Sequence, residues 1–155
     1  MKKTNKLISI LLAAIMLLAF APSVAFAADA ETVILYTNDV HCAVDDYPVL
    51  AAYRADLVAQ GKNVVVVDAG DAIQGEVIGS TTEGEAIVDI MNAVGYDYAV
   101  PGNHEFDYTQ AGRIKVTDEW AKFPYVSANF YNEKDGVAGE SVLPAYKLFE
   151  VNGLK

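Results

Sequence analysis

Val64-Val65-Val66-Val67-Asp68-Ala69-Gly70-Asp71 decides the fold: four β-branched residues in a row break off into a short loop of acid, small residue, glycine and acid. A continuous run of this kind suits a strand buried on both faces, as in parallel sheets. Upstream, Val33-Ile34-Leu35-Tyr36 has the same character and ends at Thr37-Asn38-Asp39. Between the two runs, residues 47–60 place Leu50, Tyr53, Leu57 and Val58 on one face of a helix that Gly61 stops. Downstream the pattern repeats. Residues 83–94 read as a helix with Ile87, Ile90, Met91 and Val94 on one side and Gly95 as its stop, and Tyr98-Ala99-Val100 is a short strand before the polar loop 101–108. This alternation predicts an α/β fold, a mainly parallel sheet covered by helices, with ligands at the carboxyl ends of the strands.

Beyond Tyr108 the apolar spacing is less regular. Residues 109–122 allow a helix, Tyr125-Val126-Ser127-Ala128 resembles another strand, and 129–143 reads as a surface excursion. Residues 146–151 alternate as a strand would, and Asn152-Gly153 then reads as a hairpin turn whose second strand is about to begin. The chain is therefore expected to be one incomplete domain rather than two small ones. No internal repeat or low-complexity tract divides it.

The N-terminus carries Lys2, Lys3 and Lys6, an apolar run from Leu7 to Phe20, and Ala25-Phe26-Ala27 as a small-x-small site. That layout predicts a signal peptide over residues 1–27, and the run falls short of the ~20 residues of a spanning helix. Removal of three of the 11 basic residues leaves eight against 21 acidic ones, a formal charge of −13. Such a chain is a poor binder of nucleic-acid backbones. The one cysteine, Cys42, cannot form an internal disulfide and is expected to be a small half-buried residue. A secreted, extracellular, cell-surface or periplasmic protein with no stable membrane span follows from this reading.

The chemistry gathers at the three expected strand ends, which deliver Asp39 and His41, then Gly70-Asp71, then Gly102-Asn103-His104-Glu105-Phe106-Asp107. Carboxylates, imidazoles and an amide together suit divalent zinc, manganese, iron or cobalt, and one carboxylate can hold two ions ~4 Å apart. Taken singly, each residue has a plainer role. Asp39 and Asp71 could cap helices, Asn103 could occupy a left-handed turn, and Glu105 and Asp107 could be solvated. Jointly those roles leave unexplained why both histidines of the chain fall inside the carboxylate loops.

Asp39-x-His41, Gly70-Asp71 and Gly102-Asn103-His104-Glu105 resemble the first three motifs of the calcineurin-like metallophosphoesterases. The wider segments Tyr36–His41, Asp68–Gly75 and Gly102–Asp107 resemble their extracellular 5′-nucleotidase and UDP-sugar hydrolase branch, so that residues 28–155 correspond to the N-terminal part of the catalytic domain. The resemblance implies a layered α/β sandwich, truncated here. It also implies a dinuclear centre in which Asp39 and His41 hold one ion, Asp71 bridges both, and Asn103 holds the second. His104 then faces the phosphate and Asp107 pairs with it. Glu105 is expected to support its loop rather than touch metal, and Asp68 is either a second-shell acceptor or an ordinary strand-end residue.

The family completes its site with a further histidine and a Gly-His-x-His segment, and no histidine follows His104. The 155 residues as written are therefore expected to be weakly active or inactive. The leading expectation is hydrolysis of extracellular nucleotides with metal-activated water. A cyclic-nucleotide phosphodiesterase or UDP-sugar hydrolase of the same fold is the near alternative. A non-catalytic secreted metal-binding or surface-interaction domain is the alternative of another class, and an exported module without metal is a third.

Overall fold

The computed structural model describes residues 31–151. The signal peptide expected over residues 1–27 and the turn expected at Asn152-Gly153 lie outside them. The chain runs β1 (Thr32–Thr37), α1 (Asp46–Ala59), β2 (Asn63–Asp68), α2 (Val77–Thr82), α3 (Glu85–Val94) and β3 (Tyr98–Ala99). A 3-10 turn (His104–Phe106) and α4 (Thr109–Ile114), which widens into a π-helical turn (Lys115–Trp120), lead to the hairpin β4 (Tyr131–Lys134) and β5 (Val137–Ser141).

The three strands form one parallel sheet in the order β1-β2-β3, with Val33 opposite Val64, Leu35 opposite Val66 and Asp68 opposite Ala99. Parallel neighbours joined in sequence by right-handed crossovers send both connections over the same face. Accordingly Leu35, Val64, Val66 and Ala99 join Tyr47, Leu50, Ile87, Val88, Met91 and Val94 in one core. Val66, Ile73, Ile87, Val88, Met91 and Val116 have no exposed surface, and each such side chain contributes roughly 1.5–3 kcal/mol relative to exposure. The α/β architecture and the parallel sheet expected from the sequence are present, and all three strands end on the side where the polar loops begin.

Several local expectations are corrected. β1 is not buried on both faces: Ile34 and Tyr36 are 62% and 74% exposed, because the helices cover only the face that carries Leu35. In α1 the inward residues are Tyr47 and Leu57 with Leu50 half-buried, whereas Tyr53 and Val58 are exposed. The stripe is rotated because Arg54, whose guanidinium lies against Gly95, occupies the inward turn between Leu50 and Leu57. The helix expected over residues 83–94 begins at Glu85 as α3, because Glu83 (φ 50°) and Gly84 (φ 89°) are left-handed and set it off from α2, a short helix that the sequence reading does not include.

Among residues 125–128 only Tyr125 makes a β-bridge, parallel to Ala99. The excursion at 129–143 contains an antiparallel hairpin turning on Asp135-Gly136, both left-handed. Residues 145–150 form no strand; Phe149 instead stacks on Tyr98 with ring centroids 4.9 Å apart. Alternation alone cannot make a strand without a partner to accept its ladder bonds.

Candidate metal centre and active site

The segment Gly70-Asp71-Ala72 is the central plank of the site. Its carbonyls continue the ladder of β1 and β2 past the strand ends: Asp39 N–H donates to Gly70 O (3.1 Å), His41 N–H to Asp71 O (3.0 Å) and Cys42 N–H to Ala72 O (3.0 Å). Its amides point inward. Gly70 N–H donates to Asp68 Oδ2 (2.9 Å), Asp71 N–H to Glu105 Oε2 (3.0 Å) and Ala72 N–H to Glu105 Oε1 (3.1 Å). Every amide and carbonyl of the plank is thereby satisfied by protein, as a half-buried loop requires.

This stitching holds the backbone in conformations that side chains disfavour. Asp39 (φ 53°), His41 (φ 47°), Cys42 (φ 64°) and Asp71 (φ 60°) are all left-handed. Each costs on the order of 1–2 kcal/mol relative to ordinary backbone, and such residues gather where a site over-determines them. The loops also approach closely at glycines. A Cβ on Gly102 would stand 2.2 Å from Asp71 Oδ1, and one on Gly75 would stand 2.3 Å from the His41 carbonyl oxygen. Neither position tolerates a side chain without moving a proposed ligand.

His41, Asp71 and His104 offer one donor atom each within 4.8 Å of one another. The two imidazoles meet edge to face with centroids 5.0 Å apart. His41 donates from Nδ1 to the Gln74 carbonyl (3.0 Å), which leaves its Nε2 lone pair free, and that atom stands 3.8 Å from Asp39 Oδ1 at the rim of the cluster. Asn38 hydrogen-bonds the other Asp39 oxygen. Asn103 is exposed at the start of the 3-10 turn, and its backbone carbonyl accepts from Phe106 N–H (3.2 Å). Two imidazoles and a carboxylate at this separation fit a borderline divalent cation such as zinc, manganese, iron or cobalt.

His104 is tied at both ends. Its backbone N–H donates to Asp71 Oδ1 (2.8 Å), and its Nδ1 donates to Asp107 Oδ2 (2.7 Å). The hydrogen bond to Asp107 is the main cause of a His104 pKa raised above the ordinary histidine value, with the charges of Asp107, Asp71 and Glu105 adding to it. The imidazolium is thus favoured and its Nε2–H left available. Asp107 itself is exposed.

Behind the plank, Asp68 accepts from Thr37 Oγ1 (2.7 Å), and Tyr96 OH lies 2.9 Å from the same threonine oxygen. Asp68 is 3% exposed, and burial raises its carboxyl to about 6. It is an acceptor holding the plank and no ordinary strand end. Cys42 is 1% exposed, its Sγ donates to Ala72 O (3.5 Å), and burial pushes its pKa up, so the thiol is a packing group. It packs against Gly79 of α2, where a Cβ would lie 2.2 Å from the sulfur. Glu105, with no exposed surface, supports the loop as expected. Sequence reasoning missed the Gln74 contact with His41. A backbone carbonyl leaves no residue-type signal, and only Gly75 beside it marked the close approach.

A family model described as calcineurin-like phosphoesterase matches residues 32–154. The chain is 33% identical to a 5′-nucleotidase of Vibrio vulnificus over 88% of its own length and 26% of that protein's. It is 36% identical to the snake venom 5′-nucleotidase of Gloydius brevicauda, over 81% of this chain and 24% of that one. Among solved structures, NAD nucleotidase of Haemophilus influenzae superposes with a TM-score of 0.59 at 30% identity, covering 67% of this chain and 21% of the other. The chain thus spans about a quarter of the length of the curated relatives it matches.

Proposed function

The chain belongs to the calcineurin-like phosphoesterase family, and from that premise we propose that it serves metal-dependent hydrolysis of phosphoesters in small nucleotides, 5′-nucleotides foremost. The observation that carries the reading is that two ligand candidates, His41 and Asp71, converge with a proton-donor candidate, His104, their side-chain polar atoms lying within 4.8 Å of one another on loops from three successive strands. In the proposal Asp39 and His41 would hold one cation, Asn103 would hold a second, and Asp71 would serve both. Divalent cations bound there supply charge neutralisation at phosphate oxygens and a more acidic water.

The chain's own residues supply the rest. Gln74 fixes the His41 tautomer so that Nε2 faces the cluster. Asp107 orients His104 and favours its protonated form, so we assign His104 as the donor of a proton to the departing ester oxygen and not as a ligand, which would require a neutral ring. The 5′-nucleotidase relatives support a nucleotide monoester as substrate, and the likeness to an NAD nucleotidase supports including a dinucleotide in the assay. Action outside the cytoplasm belongs to the same proposal and rests on the signal-peptide layout of residues 1–27; N-terminal sequencing of exported protein should read from Ala28.

The test is product formation by the natively expressed protein, with manganese or with EDTA: adenosine and phosphate from AMP, and nucleoside monophosphate from NAD, a UDP-sugar and a cyclic nucleotide. The expected outcome is manganese-dependent hydrolysis, fastest with AMP, that falls by about 100-fold or more in Asp71→Asn. Full activity in Asp71→Asn would sink the proposal. Manganese binding without turnover of any of the four would replace it with the non-catalytic metal-binding reading.

A further inference from the structure

Glu105 holds together two loops that the sequence keeps more than thirty residues apart. Its Oε2 accepts from Asp71 N–H (3.0 Å) and from Gly102 N–H (2.5 Å), and its Oε1 accepts from Ala72 N–H (3.1 Å). It has no exposed surface, and among the described residues no lysine or arginine pairs with it. A buried carboxylate without a cation is sustained by N–H donors that fill its lone pairs, and here all three donors belong to backbone flanking proposed ligands.

The connection closes on itself. Glu105 holds the backbone of Asp71, and the backbone N–H of His104, the residue before Glu105, holds Asp71 Oδ1 (2.8 Å). Gly102 lies inside this ring, with no room for a side chain between Glu105 and Asp71. Asp71 itself is left-handed, a conformation that needs outside support in an aspartate. Both Glu105 oxygens face backbone amides, so the group is not placed to ligate a cation.

We infer that Glu105 is a positioning residue: its carboxylate sets the Asp71 and Asn103 loops against each other before a cation arrives, so that cations meet ligands already in place. This rests on the proposal that Asp71 and Asn103 are ligands. The length and chemistry of glutamate are specific to the task. Glutamine would present an NH₂ group to at least one of three amide donors, and aspartate is one methylene too short to span both loops.

The first test uses the unsubstituted protein stripped of metal, followed by amide hydrogen exchange. The amides of Asp71, Ala72 and Gly102 should exchange within about tenfold of the β2 amides and change less than about threefold when zinc is added. Exchange at free-peptide rates until zinc is added would overturn the inference, because the cation would then be the organiser. The second test is zinc affinity by calorimetry in Glu105→Gln at a temperature where circular dichroism shows it folded. A roughly 10- to 100-fold weaker affinity is expected, and unchanged affinity overturns the inference. If Glu105→Gln does not fold, the exchange result decides alone. Asp71→Asn separates the two readings: undiminished zinc binding there removes the ligand assignment, while the exchange result still judges the order of the loops.

Discussion

Among the regions of this protein that place non-glycine residues in left-handed backbone, the β4-β5 hairpin and the sheet's carboxyl end do so by different means. In the hairpin, Asp135 (φ 55°) precedes Gly136 (φ 76°) in a tight turn whose strands, β4 and β5, are exposed at every residue. There the conformation is set by neighbours in sequence, since Asp-Gly is the chemistry a two-residue hairpin asks for. At the sheet's carboxyl end, Asp39, His41, Cys42 and Asp71 adopt the same conformation with no glycine between Asp39 and Cys42, held by bonds to residues about thirty positions away. The hairpin's shape is a local property and the site's is a tertiary one, so the site is where a single distant change should propagate to function.

The sharpest way to break this contrast is Gly102→Ala. The new Cβ would meet Asp71 Oδ1 at 2.2 Å and Asp71 N at 2.8 Å, and yielding would break the bond from His104 N–H to the first or the bond from the second to Glu105. We expect a loss of about 3–4 kcal/mol in unfolding free energy and about 100-fold in manganese-dependent phosphate release. A variant with native melting temperature and activity would show that the loops are not locked.

A middle-sized effect should come from Asp68→Asn, measured by chemical unfolding in EDTA across pH. The folded carboxyl keeps its proton up to about 6, whereas its ordinary value is 3.8. Folding therefore gains stability as pH falls through that window and loses it as pH rises again, on the order of 2–3 kcal/mol in total. Asparagine can accept from Gly70 N–H and donate to Thr37 Oγ1 at every pH, so the variant should lack this dependence. Parallel stability curves for wild type and variant would show that Asp68 carries no such cost.

The smallest effect belongs to the other half of the comparison. Gly136→Ala places a Cβ with nothing within 4 Å, at a left-handed position, and should cost about 1 kcal/mol with no change in phosphate release. A loss of activity there would join the hairpin to the site and undo the distinction.

The same division explains what could be read from the sequence. Strands β1 and β2, the α3 stripe of Ile87, Met91 and Val94, and the polar loops at the strand ends are patterns of neighbouring residues, and they stand where the sequence placed them. The short helix α2 was hidden because Gly79, Ser80, Thr81 and Thr82 are weak helix formers; it is held by packing of Gly79 on Cys42 and Ile73. The Asp135-Gly136 turn was a local signal left unread. In the site the residue types were legible, but the geometry that gives them their parts was not: two of the three amides on Glu105, the tautomer of His41 and the backbone bond of His104 to Asp71 all depend on partners from another loop.

The buried thiol has a consequence in redox terms. Cys42, the one sulfhydryl of the chain, lies sealed between the Ala72 carbonyl and Gly79, with little thiolate at neutral pH and no second cysteine to meet. Disulfide exchange and alkylation both proceed through an accessible thiolate, so Cys42 should neither cross-link in air nor react with an added alkylating agent. Metal binding by this chain can then be studied with no added thiol or phosphine reductant, the very reagents that would compete with His41 and the aspartates for a divalent cation.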